Sequence, residues 1–177
     1  WKALESLRNV WDREVRKANL DPGFGLDEAK STDSKYETLG SVLPDVEVLM
    51  NDPFSEDTSI ANASSIAFIA AYHNKAVLFA GDALPTLILE NLQKVYDEKA
   101  KVDLVKLSHP ASSGNTSPEL IQKLDCQKFV VSTNGSIYKH PSPTTLSRIV
   151  GYNTKGVELI FNYRSHINEC WDDHSFK

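Results

Sequence analysis

The sequence predicts an α/β protein with a mixed or largely parallel β-sheet. Short apolar runs typical of strands alternate with amphipathic patterns typical of helices through the second half of the chain. Pro85 and Pro118 each stand at the start of such a helical pattern, where a first-turn proline is favoured. The length of 177 residues and the hydrophobic fraction of 41% fit one domain with a core of its own.

The first 41 residues are predicted to form an N-terminal helix followed by a polar loop. Apolar residues recur three or four positions apart over residues 1–18, which is the spacing of one helical face. Residues 19–41 are polar, rich in Ser and Asp, and contain the turn sequence Asp21-Pro22-Gly23. The apolar residues of the predicted helix are Trp1, Leu4, Leu7, Trp11, Val15 and Ala18.

Residues 42–177 contain the alternating strands and helices. The two apolar runs on either side of His73-Asn74 predict a hairpin. Ser117 is the expected cap of a short helix, because serine at that position accepts a hydrogen bond from the first turn. The predicted elements are strands Asp45–Leu49, Ser65–Tyr72 and Lys75–Ala80, helix Pro85–Lys99, strand Val102–Leu107, a short helix from Ser117, strand Lys128–Ser132, helix Ser142–Val150 and strand Val157–Tyr163.

Composition and charge exclude several classes of protein. The net charge is −5, and residues 1–60 hold 7 basic and 13 acidic groups while residues 61–177 hold 12 and 11. This distribution provides no basic stripe of the kind that duplex nucleic-acid binders use. No apolar run reaches the ~20 residues of a membrane helix, so we expect a soluble protein with no membrane partner. Cys126 and Cys170 are far apart in the sequence and form no C-x-x-C motif, so we predict that they are free thiols of a protein in a reducing, cytoplasmic location.

Three predicted loops that follow strands each carry one acid or imidazole. Asp82 follows Gly81 after the second strand of the hairpin, His109 follows the strand Val102–Leu107, and His140 comes after the strand Lys128–Ser132. Functional groups collect at such strand ends in α/β sheets. Because a carboxylate and two imidazoles suit a zinc ion, Asp82, His109 and His140 are the candidate metal ligands and catalytic residues.

Other interpretations of these residues stay open at the sequence level. Asp82 precedes a predicted helix and could be its N-cap. Ser112 or Ser113 could form a hydrolytic triad with His109 and Asp82, although no G-x-S-x-G sequence supports it. A signalling domain could use Asp82 as a phosphate acceptor, but the acidic cluster that holds magnesium in such sites is missing from the neighbouring sequence.

Four sequence segments in order resemble those of metallo-β-lactamase-fold hydrolases. The similarity covers roughly residues 42–162 and is strongest to the hydrolase domain of bacterial DNA-uptake channel proteins. The family patterns are N-x-x-S before an apolar run, L-L-x-G-D-A, V-D-V-L-K-x-x-H-H-G-S, and I-I-S followed by Y-G-H-P. The matching segments are Asn62 to Ile69, Val77 to Ala83, Val102 to His109, and Val130 to Ser132 with Tyr138 to Ser142.

The resemblance implies a fold, a cofactor and a reaction. The fold would be the second half of an αβ/βα sandwich, a mixed sheet with flanking helices. One or two zinc ions, or manganese or iron, would supply a metal-bound hydroxide that attacks a phosphodiester or a related ester in a nucleotide or nucleic-acid substrate. Asp82 would bridge or bind the metal, His109 would complete the shell of a second ion, and His140 would be a third ligand or stabilise the developing oxyanion.

Two departures from the family pattern define the competing hypothesis. The metal signature H-x-H-x-D-H is not found in these 177 residues, and Pro110-Ala111 replaces a histidine and a glycine. The metal site in this chain is therefore expected to be incomplete, and the fragment alone inactive. The missing N-terminal half of the protein, or a self-associated copy, would complete the site and cover an apolar inner sheet face. The alternative function is a degenerate, non-catalytic α/β module that binds a partner.

Overall fold

A five-stranded mixed sheet organises the chain. The computed structural model describes residues 2–17, 44–108, 111–135 and 139–172. The strands of these residues are β1 (Phe68–Tyr72), β2 (Lys75–Phe79), β3 (Ala100–Lys101), β4 (Leu104–Lys106), β5 (Leu124–Asp125), β6 (Lys128–Val131) and β7 (Glu158–Phe161).

The main sheet has the order β1-β2-β4-β6-β7, and β3 pairs with β5 in a separate, parallel pair. Strand β1 runs antiparallel to β2, whereas β2, β4, β6 and β7 run parallel to one another. The α/β class with a mixed, mainly parallel sheet is therefore confirmed. The complete αβ/βα sandwich stays a prediction.

Helices connect the parallel strands and begin where the sequence predicts. Proline occupies the first turn of α4, α5 and α6, and the Ser117 hydroxyl accepts a hydrogen bond from the Leu120 amide at 3.1 Å. Helix α4 ends at Val95, earlier than the predicted Lys99, and Tyr96 is already extended. The helices are α1 (Lys2–Lys17), α2 (Val46–Met50), α3 (Ile60–Ala63), α4 (Pro85–Val95), α5 (Pro118–Lys123) and α6 (Pro143–Tyr152), with 3₁₀ turns at Ser113–Asn115 and Glu169–Asp172.

The hairpin between β1 and β2 is confirmed at the predicted turn. His73 has φ 44° and Asn74 has φ 60°, so both turn residues are in the left-handed region. Two successive left-handed residues match the twist of the flanking strands, which is why such turns dominate two-residue hairpins. Asn tolerates this conformation better than most residues, and the His73-Asn74 pair could therefore be identified from the sequence.

The predicted strand at Asp45–Leu49 is wrong, because this segment forms helix α2. Asp45 caps the helix, and its Oδ1 accepts a hydrogen bond from the Val48 amide at 3.1 Å. Alternation over five residues is too short to distinguish a strand from one helical turn. Helix α2 packs against α6, where a side chain at Gly151 would overlap the Met50 sulfur. Tertiary contact with α6 thus favours the helix.

One face of the sheet forms the core of the protein. Leu78, Val105 and Phe129 are aligned across β2, β4 and β6 by the strand register, and each is at most 2% exposed. Helices α4, α5 and α6 cover this face and share its buried cluster. Their contributions to the cluster are Ile88, Leu92, Leu120, Ile121, Leu146 and Ile149.

The opposite face of the sheet, here called the open face, is apolar and partly exposed. Phe68 and Phe79 are 52% and 37% exposed and stack with their ring centroids 5.0 Å apart. On the same face Val77, Leu104, Lys106, Val130 and Ile160 are half-buried, whereas Lys128 and Glu158 at its end are exposed. The register places on it Phe68, Val77, Phe79, Leu104, Lys106, Val130 and Ile160. The apolar, incompletely covered face that was expected from the sequence is therefore present.

Several expectations concern the ends and connections of the chain. The N-terminal helix is confirmed as α1, whereas the predicted polar loop over residues 19–41 lies outside the described residues, as does the boundary at residue 42. Of the helices that the structure describes, none combines the length and the apolar character needed to cross a membrane. Cys126 and Cys170 are both free, as predicted.

Candidate functional site

The loops with the predicted functional residues start at one edge of the sheet. Because β2, β4 and β6 are parallel neighbours, their carboxyl ends lie side by side. Backbone hydrogen bonds continue the pairing beyond the strand ends, from the Ala80 amide to the Lys106 carbonyl at 3.1 Å and from the Leu107 amide to the Val130 carbonyl at 3.0 Å. The topology thus brings together the segments that contain Asp82, Ser108 and Ser132.

Glycine is required in the turn that presents Asp82. Gly81 has φ +58°, and a Cβ at this position would lie 2.5 Å from the Ile66 carbonyl oxygen and 2.8 Å from the Ser65 hydroxyl. The Ser65 hydroxyl also accepts a hydrogen bond from the Asp82 amide at 2.8 Å. Ser65 of the N-x-x-S segment therefore positions the backbone of Asp82, and only glycine allows the close approach.

The Asp82 carboxylate is not the cap of helix α4. The N-cap of that helix is Leu84, and Glu56 instead accepts hydrogen bonds from the amide and the hydroxyl of Thr86 at 2.9 and 3.0 Å. Oδ1 of Asp82 is buried and has no hydrogen-bond partner among the described residues. The N-cap interpretation of Asp82 is therefore wrong. A buried carboxylate oxygen without a partner is costly, so it points to a role other than packing.

Asn62 supports the site from a distance. Its side-chain amide donates to Asp57 Oδ2 at 2.8 Å, and the Asp57 amide donates to the Gly114 carbonyl at 3.2 Å. These bonds link the segment before β1 to the loop after β4. The two polar residues of the N-x-x-S motif thus have different roles. Asn62 holds the segment before β1 near the loop after β4 through Asp57, and Ser65 positions the backbone of Asp82.

His109 and Pro110 lie outside the described residues, but the residues on both sides of them are well fixed. Ser108 and Ala111 are 2% and 1% exposed, and the Ala111 carbonyl accepts a hydrogen bond from the Ser142 amide at 3.0 Å. Ala111 has φ +65°, a left-handed conformation that normally favours glycine. Strained residues of this kind concentrate at functional sites, where the surroundings hold them in place.

His140 lies in the half-buried segment between β6 and α6. The Lys139 amide donates to the Gly135 carbonyl at 3.1 Å, and a Cβ on Gly135 would lie 2.8 Å from the His140 carbonyl oxygen, so Gly135 and His140 lie close together. The bond between Ala111 and Ser142 joins the same segment to the loop after β4. His140 therefore belongs to the edge of the sheet at which Asp82 is found.

The described residues do not form a complete metal site. In the ranges 2–17, 44–108, 111–135 and 139–172, no group of three or more His, Cys, Asp or Glu side chains is close enough to hold an ion. A catalytic zinc site usually has three protein ligands. Asp82 and His140 are thus too few by themselves, and the position of His109 lies outside these ranges.

Arg148 fixes the loop after β4, a role that its sequence context does not indicate. This side chain in α6 is 1% exposed, and its Nη1 donates to the carbonyls of Ser113 and Thr116, both at 2.9 Å. Nη2 donates to the Asp52 carbonyl at 3.1 Å, and the guanidinium lies 5.5 Å from the centroid of the Phe54 ring. An arginine in an amphipathic helix usually faces solvent, so no sequence pattern predicts this burial.

Lys106 is a second residue that sequence analysis missed. It is the last residue of β4, lies on the open face between Phe79 and Val130, and donates from Nζ to the Leu107 carbonyl at 2.8 Å. Burial lowers the pKa of Lys106, whereas the negative charge of Asp82 raises it. Two signals were available in the sequence: a lysine between the apolar residues Val105 and Leu107, and the lysine of the V-D-V-L-K-x-x-H pattern at the same position.

A concave apolar surface borders the turn of Asp82. A groove of about 520 Å³ lies between α4 and β1, and Ser65 and Ala83 form part of its lining. The other lining residues are mainly apolar and include Ile66, Phe68, Leu87, Leu92 and Val95. Binding sites in proteins are commonly grooves of this composition with a few polar groups at one side.

Comparison of the chain with known protein families, curated proteins and solved structures finds no similar protein.

Proposed function

We propose that this chain is part of a metal-dependent hydrolase in which Asp82 is a metal ligand. The observation that carries the proposal is the buried Oδ1 of Asp82 after β2, which has no hydrogen-bond partner among the described residues. Glu56 accepts the hydrogen bond from the Thr86 amide in the first turn of α4, so capping does not account for Asp82. A cation is the simplest partner for a buried carboxylate oxygen that no donor in the described part of the chain satisfies.

The donor set of the proposed site suits zinc, with manganese or iron as alternatives. Asp82 would hold one ion or bridge two, and His140 and His109 would be the imidazole ligands. When bound, such an ion supplies a Lewis acid and a water that is acidic enough to attack near neutral pH. The chain itself orients the carboxylate, because Ser65 and Gly81 fix the backbone of the turn.

A phosphodiester or a related ester is the proposed substrate, in a nucleotide or nucleic acid. This substrate class is supported by the ordered sequence segments around Asn62, Gly81-Asp82 and His140-Pro141. The cytoplasmic location belongs to the same proposal and is supported by the free thiols of Cys126 and Cys170.

The remaining ligands of the proposed site would come from outside these 177 residues. A further part of the same protein or a second copy of this chain would supply them and would cover the open face. The apolar character of that face supports the proposal, since 52% of Phe68 and 37% of Phe79 is exposed there. Exposed apolar surface of this kind is typical of a surface that meets a partner.

Zinc titration of the intact protein, which holds the full set of proposed ligands, tests the role of Asp82. We expect calorimetry to detect zinc binding that Asp82→Asn weakens by at least about tenfold, the loss of one charged ligand being worth more than ~1.4 kcal/mol. Asp97→Asn is the matched control, because Asp97 is an exposed carboxylate in the loop after α4. Equal zinc affinity in the wild type and Asp82→Asn would end the proposal, as would the absence of zinc and manganese from the intact protein.

The second candidate function is a non-catalytic α/β module that binds a protein partner. Two observations favour it: the described residues provide no three-ligand group, and the open face is apolar. Hydrolysis of bis(4-nitrophenyl) phosphate by the intact, zinc-loaded protein, and its loss in Asp82→Ala, would exclude this candidate. A full-length protein that binds no metal would favour it over the hydrolase.

Sedimentation of the isolated chain tests the proposed role of the open face. We expect self-association at high concentration, and we expect Phe68→Glu to weaken it because a charge on the open face must be desolvated on contact. Val48→Glu is the control, since Val48 is 62% exposed but lies in α2 and not on the sheet. A monomer at millimolar concentration, or equal effects of the two variants, would contradict this role.

A further inference from the structure

We propose that Lys106 binds the anionic group of the substrate, a phosphate, beside the Asp82 site. The inference rests on the proposed function, which places a phosphate ester at the same edge of the sheet. Lys106 lies within one of the matching sequence segments, but the sequence alone gave it no role. The inference assigns it one, because its ammonium group would bind the negatively charged phosphate of the substrate.

The position of Lys106 places it beside the end of β2, where the turn that contains Asp82 begins. Lys106 pairs with Phe79, the last residue of β2, and Asp82 follows three positions later in the turn. The Ala80 amide donates to the Lys106 carbonyl at 3.1 Å, so the turn begins directly beside this lysine. The two side chains interact electrostatically, because the charge of Asp82 raises the pKa of Lys106.

Lys106 has unused hydrogen-bonding capacity. Within the part of the chain that the structure describes, the Leu107 carbonyl at 2.8 Å is the one acceptor of its ammonium group. An ammonium group has three donors, so two remain for a ligand. Phosphate oxygens are strong acceptors, and lysine binds them as a compact point charge.

The other lysines on this sheet have a different environment. Lys75 pairs with Asp103 at 2.7 Å and Lys128 pairs with Glu158 at 2.8 Å, and the two lysine side chains are 73% and 54% exposed. Lys106 is half-buried between Phe79 and Val130 and donates to a neutral carbonyl instead. Within the described ranges, the exposed lysines of the sheet thus form ion pairs with carboxylates, whereas the partly desolvated Lys106 does not.

Burial of a lysine that lacks a close ion pair has an energetic cost that packing does not explain. An apolar residue in this position would continue the surface of Phe79 and Val130 without desolvating a charge. Asp82 and Lys106 together form a site with one negative and one positive group. Such a pair holds a cation on one side and the phosphate of the substrate on the other, the arrangement by which charge is stabilised during phosphoryl chemistry.

Binding of inorganic phosphate to the full chain without metal tests this proposal. We expect Lys106→Met to weaken phosphate binding about ten- to a hundredfold in calorimetry, the effect of losing one charge-assisted hydrogen bond. Lys106→Arg should retain most of the affinity, because the positive charge remains. Lys128→Met is the control, since Lys128 lies on the same face but is exposed and paired with Glu158.

Two further arms identify the source of the phosphate and separate this proposal from the hydrolase itself. A thymidine dinucleotide should bind with the same dependence on Lys106, whereas thymidine should not bind. Zinc titration of Lys106→Met should show retained binding, because Asp82 is intact. Equal phosphate affinity in the wild type and Lys106→Met, or phosphate binding lost equally in Lys128→Met, would overturn the role of Lys106. Loss of zinc binding in Asp82→Asn is measured separately, so either proposal can fail without the other.

Discussion

Replacing Asp82 with alanine should stabilise the chain in the absence of metal. Oδ1 of Asp82 is buried and has no partner in the described part of the chain, and Ser65 binds the backbone amide of Asp82, which the substitution keeps. An unsatisfied buried acceptor costs about 1–3 kcal/mol, and removing it recovers that free energy. The electrostatic attraction to Lys106 is lost, and at its partly exposed position this attraction is worth about 0–1 kcal/mol.

The net expectation is an increase of about 1 kcal/mol in the free energy of unfolding. With an m-value of about 2 kcal/mol per molar urea, the unfolding midpoint should rise by about 0.5 M. Asp97→Ala, at an exposed carboxylate, should change the free energy of unfolding by no more than about 0.5 kcal/mol. Urea unfolding of the three proteins in the presence of a chelator is the measurement.

In the intact protein, where the remaining proposed ligands are present, zinc should reverse the order of stability. A ligand that binds only the native state adds RT ln(1 + [L]/Kd), which is about 2.7 kcal/mol at a concentration one hundred times Kd. The wild type should gain this stabilisation and Asp82→Ala should not. A variant that is less stable than the wild type without metal would refute the reasoning, because the carboxylate would then have a structural partner. Equal stabilisation of both proteins by zinc would refute the assignment of Asp82 as a ligand.

Three further substitutions test the surroundings of the site. In urea unfolding, Gly81→Ala should lower the free energy of unfolding by about 2 kcal/mol or more, because the new Cβ meets both backbone strain and close neighbours. Gly156→Ala is the control: its φ is +77° but nothing lies within 4 Å, so it should lower the free energy of unfolding by about 1 kcal/mol, the effect of backbone strain alone. Arg148→Met should cost about 3 kcal/mol, because it removes the donor of the buried Thr116 carbonyl and of the part-buried Ser113 and Asp52 carbonyls. A change under about 1 kcal/mol would mean that water replaces the guanidinium. The hydrogen bond from Lys75 lowers the pKa of Asp103 below its unfolded value, so Asp103 stabilises the fold above that value and loses this effect as the pH falls through its native pKa. Asp103→Asn should therefore lower the urea midpoint at pH 7, and the difference in midpoint between the variant and the wild type should become smaller below about pH 4. A difference that is the same at both pH values would contradict this role of Asp103.

The elements that were correctly predicted depend on short-range chemistry. The hairpin turn is specified by His73-Asn74, whose left-handed conformations are set by adjacent residues. The starts of α4 and α5 are specified by Pro85 and by Ser117-Pro118, which act within one helical turn. Local preferences of this kind are visible in any window of a few residues.

The wrong predictions concern segments whose local pattern was weak or misleading. Asp45–Leu49 alternates like a strand, yet it forms α2 because Asp45 caps it and α6 packs against it. Asp82 precedes α4 as a capping residue would, yet Glu56 satisfies the Thr86 amide instead, from thirty positions earlier in the chain. In both cases a residue that is distant in sequence decided between two locally acceptable structures.

The sequence alone determined the α/β class, the order of most strands and helices, and the placement of Asp82 and His140 after parallel strands. It did so because hydrophobic period, proline position and turn residues act over a few residues. Only the tertiary structure decided that Asp82 has a buried oxygen with no partner among the described residues. The same is true of the burial of Arg148 against carbonyls up to 96 positions away and of the position of Lys106 on the open face. Burial and the pairing of polar groups depend on which distant segments meet, and this is fixed by packing across the whole fold rather than by any local pattern.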